Sequence, residues 1–333
     1  MEIDFILTYL NPNDVEWQKE KNIYTPGASA DVNPNRYREW DNLQYFFRGI
    51  EYFAPWVRKV HIVTCGHVPQ WLNVEHPKVN IVKHTDYIPP EWLPTFSSRC
   101  IDMNFHRIPE LAEHFVYFND DMFITHTVKP DDFFKDELPC DTAIIIPQQY
   151  RLIDGLALHL APVVNTAVIN KYFHLNSVIK QNISNWITPK YGKSVLRSML
   201  MMTWPKFSGF APMHLPYSYL KSTYEEVWKK EFSLCSTASG HRFREPYDLN
   251  HWIFNYWQFA TNRFRPRKVS DGHCFQLHHI SDAEQANKDI IAYKYKMVCL
   301  NDTIEDNNDF NTIKNTVNSA LNSILPDKCS YEL

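Results

Sequence analysis

The residues best equipped for chemistry are two adjacent carboxylates, Asp120 and Asp121, which follow Asn119 directly after the apolar run Phe115 to Phe118. Neighbouring carboxylates repel unless a cation or hydrogen-bond donors compensate them. A divalent ion bridging the oxygens of a diphosphate would do so. The same three residues also read as an acidic turn that caps the next segment. His214 sits in Phe210-Ala211-Pro212-Met213-His214-Leu215-Pro216, where two prolines stiffen the backbone on either side. An imidazole held in that way suits a general base for an incoming hydroxyl. Alternatively it is a histidine satisfied within the fold. His241-Arg242-Phe243-Arg244 brings guanidinium groups, whose forked donors match phosphate oxygens, although a solvated surface pair has the same pattern. Cys299-Leu300-Asn301-Asp302 ends an apolar run in polar side chains; Asp302 reads as a metal or sugar contact, or as an Asx turn.

Other chemistries are excluded or disfavoured. The chain has only 8 glycines among 333 residues and no glycine-rich phosphate loop. No Gly-x-Ser-x-Gly elbow is present. His273, Cys274, His278 and His279 follow no closed zinc spacing. The formal net charge is −4, which supplies no basic surplus for nucleic acid. Seven scattered cysteines without a CxxC pair point to free thiols in a reducing compartment. No apolar run is long enough to cross a bilayer, and Met1-Glu2-Ile3-Asp4 lacks the basic start of a secretory signal. A cytoplasmic location is therefore expected.

The elements that must position these residues alternate. Ile3–Tyr9, Val60–Thr64, Val79–Val82, Phe115–Phe118 and Thr142–Ile146 read as strands. Leu43, Phe46, Phe47 and Ile50 have helical spacing, ended near Pro55, and residues 98–107 read as helix. Residues 20–36 read as a loop rich in Pro, Asn and Gly. The polar clusters at 11–14, 64–67 and 119–121 fall at strand ends, where open α/β sheets bind ligands. The second half reads differently: 174–203 and 215–234 are mainly helical. Leu249, Trp252, Ile253, Tyr256, Trp257 and Ala260 form a helical stripe capped by Asp248. Phe275–His279 reads as a returning strand, and Phe310 to Ile324 as a last helix capped by Asp309. The expected fold is α/β: a mixed sheet of nucleotide-sugar-binding type (GT-A-like or Rossmann-like), formed by 1–150 plus 265–325, with a mainly helical insertion at 151–264. Trp186, Trp204, Trp228, Trp252 and Trp257 in or beside that insertion either line an acceptor groove or belong to the core.

Several stretches in order resemble the conserved motifs of the Stealth family, which includes bacterial capsular polysaccharide phosphotransferases and the lysosomal-targeting N-acetylglucosamine-1-phosphotransferase. Ile3 to Tyr9 with Asn11 and Asp14 resembles the first motif. The second runs from Phe47-Arg48-Gly49-Ile50-Glu51 through Val60-His61-Ile62-Val63-Thr64 and Leu93-Pro94-Thr95-Phe96-Ser97-Ser98. It continues to Tyr117-Phe118-Asn119-Asp120-Asp121 and Pro130-Asp131-Asp132-Phe133-Phe134. Met213-His214-Leu215-Pro216 with Arg244 to Asp248 is similar to the third, and Val298-Cys299-Leu300-Asn301-Asp302 to the fourth.

The resemblance implies an enzyme that moves hexose- or N-acetylhexosamine-1-phosphate from a nucleoside diphosphate sugar, UDP-GlcNAc among the donors, to a carbohydrate hydroxyl of an oligosaccharide or polysaccharide. Nucleoside monophosphate is released, in capsule or exopolysaccharide synthesis. It implies His214 as base, Asp121 and Arg244 as catalytic partners, and Mg2+ or Mn2+ held by Asp120, Asp121 and Asp302. Asp4, Asn11, Arg48, Asn119, Asn301 and Asp302 would bind substrate. Asp120 or Asp121 is the alternative base, with His214 positioning the acceptor. Peripheral association with the capsule machinery is a further implied partner. Arg38-Glu39-Trp40-Asp41-Asn42-Leu43-Gln44 departs from the acidic run common in the family, and so does Cys65; both leave the nucleotide sugar open. Two other functions stay in view: a GT-A-type glycosyltransferase that transfers the sugar alone, and an inactive carbohydrate-binding homologue.

Overall fold

A computed structural model describes residues 1–25, 38–148, 156–304 and 306–333, with the side chains of 156–159 and 307 excepted. The strands in chain order are β1 Ile3–Thr8, β2 Val60–Thr64, β3 Val79–Lys83, β4 His114–Phe118, β5 Met122–Ile124, β6 Phe134–Lys135, β7 Leu138–Asp141, β8 Tyr217–Leu220, β9 Arg265–Pro266, β10 Gly272–Leu277 and β11 Met297–Asp302. The central sheet has the order β3-β2-β1-β4-β8, parallel from β3 to β4 and closed by antiparallel β8. A second sheet runs β10-β11-β5 and a third β6-β7-β9. The protein is thus an α/β fold built on mixed sheets, as its sequence pattern predicts.

Burial explains the central strands. Ile3, Phe5, Ile6 and Leu7 of β1 are buried together with all of β2. Such unbroken apolar runs belong to parallel strands covered on both faces. The helix Leu43–Phe53 buries Leu43, Phe46, Phe47, Ile50 and Phe53, and Pro55 follows its last turn. At Gly49 this helix meets β5 so closely that a Cβ would stand 2.8 Å from the Ile124 carbonyl oxygen. The helix Trp252–Ala260 is buried around almost its whole circumference, and Ile280–Ile291 packs on Asn307–Ile324. Among the described residues no helix is long and apolar enough to cross a membrane.

The structure departs from the sequence reading in identifiable places. Residues 215–220 are not helical: Tyr217-Ser218-Tyr219-Leu220 pairs with β4 as the sheet edge, so the mainly helical segment also supplies a strand. Aromatic and alternating residues favour a strand once a partner edge is available. The expected strand at 142–146 is displaced to Leu138–Asp141, and Ile145 keeps only a bridge to Phe210. The Asp141 carboxylate accepts the Thr142 N–H and turns the chain out of β7. Asp248 does not cap the helix that starts at Trp252; it is buried, accepting from the Glu245 N–H and paired with His241 at 2.7 Å. The last helix is capped by Asp306, whose side chain accepts the Asn308 N–H, and Asp309 lies in its first turn. Residues 98–107 split into Ser98–Met103 and a 3-10 turn at Phe105–Arg107. The loop expected at 20–36 starts later, because Val15–Tyr24 is helical; 26–36 lie outside the described residues.

Candidate active site

In a parallel sheet ordered β3-β2-β1-β4, the chain leaves β1 for β2 on one side and passes from β3 to β4 on the other, which opens a crevice beyond the carboxyl ends of β1 and β4. The structure has a cavity of about 480 Å³ there, within the range of small-ligand sites. Thr8 to Leu10 at the end of β1 and Asn119 to Asp121 at the end of β4 form its floor. Asn301 and Asp302 reach it from β11, and His214, Arg244 and Arg38 enter from loops.

Asp121 is locked from several sides. Its carbonyl accepts the Leu300 N–H at 2.8 Å, tying the end of β4 to β11. Its Oδ2 receives a hydrogen bond from Cys299 Sγ at 3.2 Å and faces His214 Nε2 at 3.6 Å. Its Oδ1 is buried without a partner among the described residues. Beside it, burial and then the Asp121 charge push the Asp120 carboxyl up to about 7. A carboxylate pair at the cavity, Asp120 open to it and Asp121 half-buried with one unsatisfied oxygen, fits a hard divalent cation, which would satisfy the lone pairs and remove the repulsion. His214, Cys274 and Cys299 also converge, with ligand atoms within 4.8 Å of one another, but thiols belong to softer ions than Mg2+. This convergence arises because Cys274 on β10 is in register with Cys299 on β11, a pairing invisible in the spacing of His273, His278 and His279.

His214 is set by its loop. Ala211 N–H bonds to the Ile144 carbonyl at 2.9 Å upstream, and Tyr217 enters β8 opposite Tyr117 downstream. Between these anchors and the two prolines His214 adopts φ +46°, a left-handed conformation that a non-glycine residue rarely takes. The imidazole is one-third exposed, and its Nε2 lies 3.4 Å from Asn119 Nδ2. A proton taken up at Nε2 would face the Asp121 carboxylate. Arg244 donates to Ser98 Oγ at 2.6 Å, which fixes one branch of its guanidinium and leaves the group on the cavity wall. Asn301 lines the same wall and donates to Gln276 Oε1 at 2.7 Å.

The geometry therefore brings together Asn119, Asp120, Asp121, His214, Arg244, Asn301 and Asp302. It separates others. Asp4 lies at the amino end of β1, fully buried, where it accepts from Arg58 Nε at 2.8 Å and the Ala112 N–H at 2.9 Å and pairs with His61 at 3.0 Å. Burial alone would raise its pKa, but the bonds from His61 and Arg58 hold it below the usual value. Asp4 is a structural anchor, not a nucleotide contact. Arg48 projects to the far side of its helix, where it chelates Glu332 at 2.7 and 2.9 Å and bonds the Leu325 carbonyl. Asn11 lies one residue past the cavity lining; its Oδ1 accepts the Asn13 N–H and its own N–H goes to His67. Asp302 is in the cavity, but Arg38 holds its carboxylate at 2.9 Å and the Ile304 N–H occupies the same oxygen, so it positions Arg38 and is a poor metal ligand. Sequence reasoning named Arg38 only as part of a stretch that departs from the family pattern and missed Arg99 and Asp102; all three are on the cavity wall. Of the tryptophans, Trp186, Trp228 and Trp257 are core, Trp252 lines the cavity and Trp204 is exposed.

Models of Stealth protein conserved region 2 and conserved region 4 match residues 36–141 and 288–333. A capsular polysaccharide phosphotransferase, WcwK of Streptococcus pneumoniae, is 39% identical over 99% of this chain and 98% of its own length. The chain belongs to the Stealth family. Other relatives of this Stealth protein are a receptor polysaccharide phosphotransferase of Streptococcus oralis, 36% identical over 100% of this chain and 99% of its own, and an exopolysaccharide phosphotransferase of Lactiplantibacillus plantarum, 32% identical over 99% and 96%. The mouse xyloside xylosyltransferase 1 structure covers 90% of this chain and 98% of its own at 10% identity, with a TM-score of 0.35, too slight a likeness to bear on function. The Stealth protein is accordingly a phosphotransferase enzyme.

Proposed function

We propose that this Stealth enzyme transfers hexose- or N-acetylhexosamine-1-phosphate from a nucleoside diphosphate sugar to a hydroxyl of an oligosaccharide or polysaccharide during capsule or exopolysaccharide synthesis. The observation that carries this reading is His214 Nε2, set 3.6 Å from Asp121 Oδ2 and 3.4 Å from Asn119 Nδ2 in a cavity that Arg244 also lines. The acceptor oxygen attacks the phosphorus that bears the sugar. His214 Nε2 takes the hydroxyl proton, and the Asp121 carboxylate stabilises the resulting imidazolium. The bond from that phosphorus to the bridging oxygen breaks, and nucleoside monophosphate leaves with the electron pair. The glycosidic carbon keeps its oxygen, so the product is a phosphodiester. Arg244 neutralises charge on the phosphoryl oxygens as it shifts toward the leaving group. Asp120 and Asp121 would hold Mg2+ or Mn2+, which neutralises the diphosphate when bound. The Arg38–Asp302 pair brings a further guanidinium to the wall, suited to the nucleotide phosphate or its sugar.

The test is a product assay with purified enzyme, UDP- and CDP-linked sugars, Mg2+ or Mn2+, and capsule-type oligosaccharides. Acceptor-dependent release of nucleoside monophosphate, with a new phosphodiester by phosphorus NMR and mass, is expected. Nucleoside diphosphate with no phosphodiester would show instead that the sugar moves alone.

A further inference from the structure

The helix Ser194–Met201 carries apolar side chains on its outer side as well as its inner one. Its one buried residue is polar: Ser198, whose Oγ accepts the Ile145 N–H at 3.0 Å. Val195 and Met201 pack on the core, but the other large apolar side chains point outward. Leu196 is 69% exposed and Leu200 63%, with Met199 beside them and Trp204 at 57% in the turn that follows. Leu196, Met199 and Leu200 lie three and four positions apart and share one helical face, and Trp204 follows in the turn beyond it. Ile183 and Ile187, just upstream, are exposed as well. Burial within the protein does not account for this face, since isolated exposed side chains are common but a run on one helical face is not.

The charge around it is one-sided. From Gly155 to Tyr224 the sequence contains no aspartate or glutamate, although the whole chain carries a net charge of −4. The same stretch has seven basic residues, of which Lys180, Lys190, Lys193, Arg197 and Lys206 are exposed in and around the helix. Lys193 caps the helix and Arg197 lies one turn further on. Leucine and methionine on a helical face with an exposed tryptophan just beyond it, lysine and arginine at the margins and no acid in the same stretch of sequence, is the pattern of an element that lies in a bilayer interface. A second copy of the chain fits worse, because two such faces would bring like-charged margins together.

We propose that the face bearing Leu196, Met199, Leu200 and Trp204 docks the enzyme on an anionic phospholipid surface, with Lys193 and Arg197 among the residues that meet the headgroups. The chain then binds reversibly as a peripheral protein, with no spanning helix needed. The helix precedes the His214 loop by about ten residues of the same acid-free stretch, so the docked side is continuous in sequence with the loop that carries the proposed base.

The experiment is co-sedimentation of the full chain with vesicles of phosphatidylglycerol and phosphatidylcholine, with pure phosphatidylcholine as control. Binding to the anionic vesicles is expected, weakened about tenfold or more in pure phosphatidylcholine or at high salt. A Leu196→Gln, Leu200→Gln, Trp204→Gln variant should lose binding by about tenfold or more at any charge. Lys193→Gln with Arg197→Gln should weaken it only on anionic vesicles. Both variants alter exposed side chains, and circular dichroism with turnover of a soluble acceptor should match the unaltered enzyme. Three results overturn the proposal: no sedimentation with anionic vesicles, binding that neither variant changes, or a dimer in solution that the apolar variant dissociates while vesicle binding persists.

Discussion

Asp102 allows a prediction whose size follows from the structure. It is 4% exposed beneath the cavity, and its Oδ1 accepts the Tyr117 hydroxyl at 3.0 Å. Burial pushes its carboxyl from an ordinary 3.8 up to about 8, the Tyr117 bond opposing only part of that. Between those two values the folded chain binds more protons here than the unfolded chain. Stability from this group is therefore greatest in acid and is lost as pH rises through the window. One pH unit corresponds to roughly 1.4 kcal/mol, so the step from pH 5 to pH 7 removes roughly 2.7 kcal/mol. Asp102→Asn keeps an acceptor for Tyr117 and cannot ionise. Urea unfolding, followed by fluorescence at pH 5, 6 and 7, should show the variant gaining on the parent by about 2–3 kcal/mol between the extremes. Parallel profiles, within about 0.5 kcal/mol, would refute the assignment of a neutral acid. Because the native carboxyl is then uncharged at neutral pH, the substitution should leave donor affinity within about twofold of the parent's.

Four other outcomes are expected. His214→Ala should lower single-turnover release of nucleoside monophosphate by about 10²–10⁴-fold with donor binding kept; near-normal turnover would remove His214 from the mechanism. Asp121→Asn should weaken Mn2+ binding, read by electron paramagnetic resonance, by about tenfold or more, and unchanged binding would place the cation elsewhere. Gly49→Ala should destabilise the fold by about 1–3 kcal/mol, because its Cβ would press on the Ile124 carbonyl; a neutral effect in urea would mean that the helix can shift away from β5. Asp4→Ala should cost about 3–5 kcal/mol by stranding Arg58 and His61, yet leave donor affinity intact in the folded fraction. A selective loss of donor binding in that variant would return Asp4 to the nucleotide site.

The contrast between Asp4 and Asp121 shows what a sequence can and cannot say about a site. Both sit in stretches that resemble family motifs, one within a buried strand and one just after it, and both are carboxylates beside apolar runs. Strand direction separates them: Asp121 follows the carboxyl end of β4, whereas Asp4 is the second residue of β1, some 13 Å of extended chain before Thr8. The apolar runs that define β1, β2 and β4 are legible, as is the polar punctuation at their ends, because burial and turn formation are local in sequence. Pairing across the chain is not. Arg38 reaches Asp302 over 264 positions and Arg48 reaches Glu332 over 284, and no spacing rule connects either pair. Of the two arginines the motif draws attention to Arg48, yet the side chain that faces the cavity is Arg38, in the stretch that departs from the family pattern. On the proposed reading, Arg38 in that position would adjust which nucleotide sugar is held without disturbing His214 or the Asp120–Asp121 pair. An Arg38→Ala enzyme that changes donor preference but not product type would place selectivity and chemistry on separate walls of one cavity.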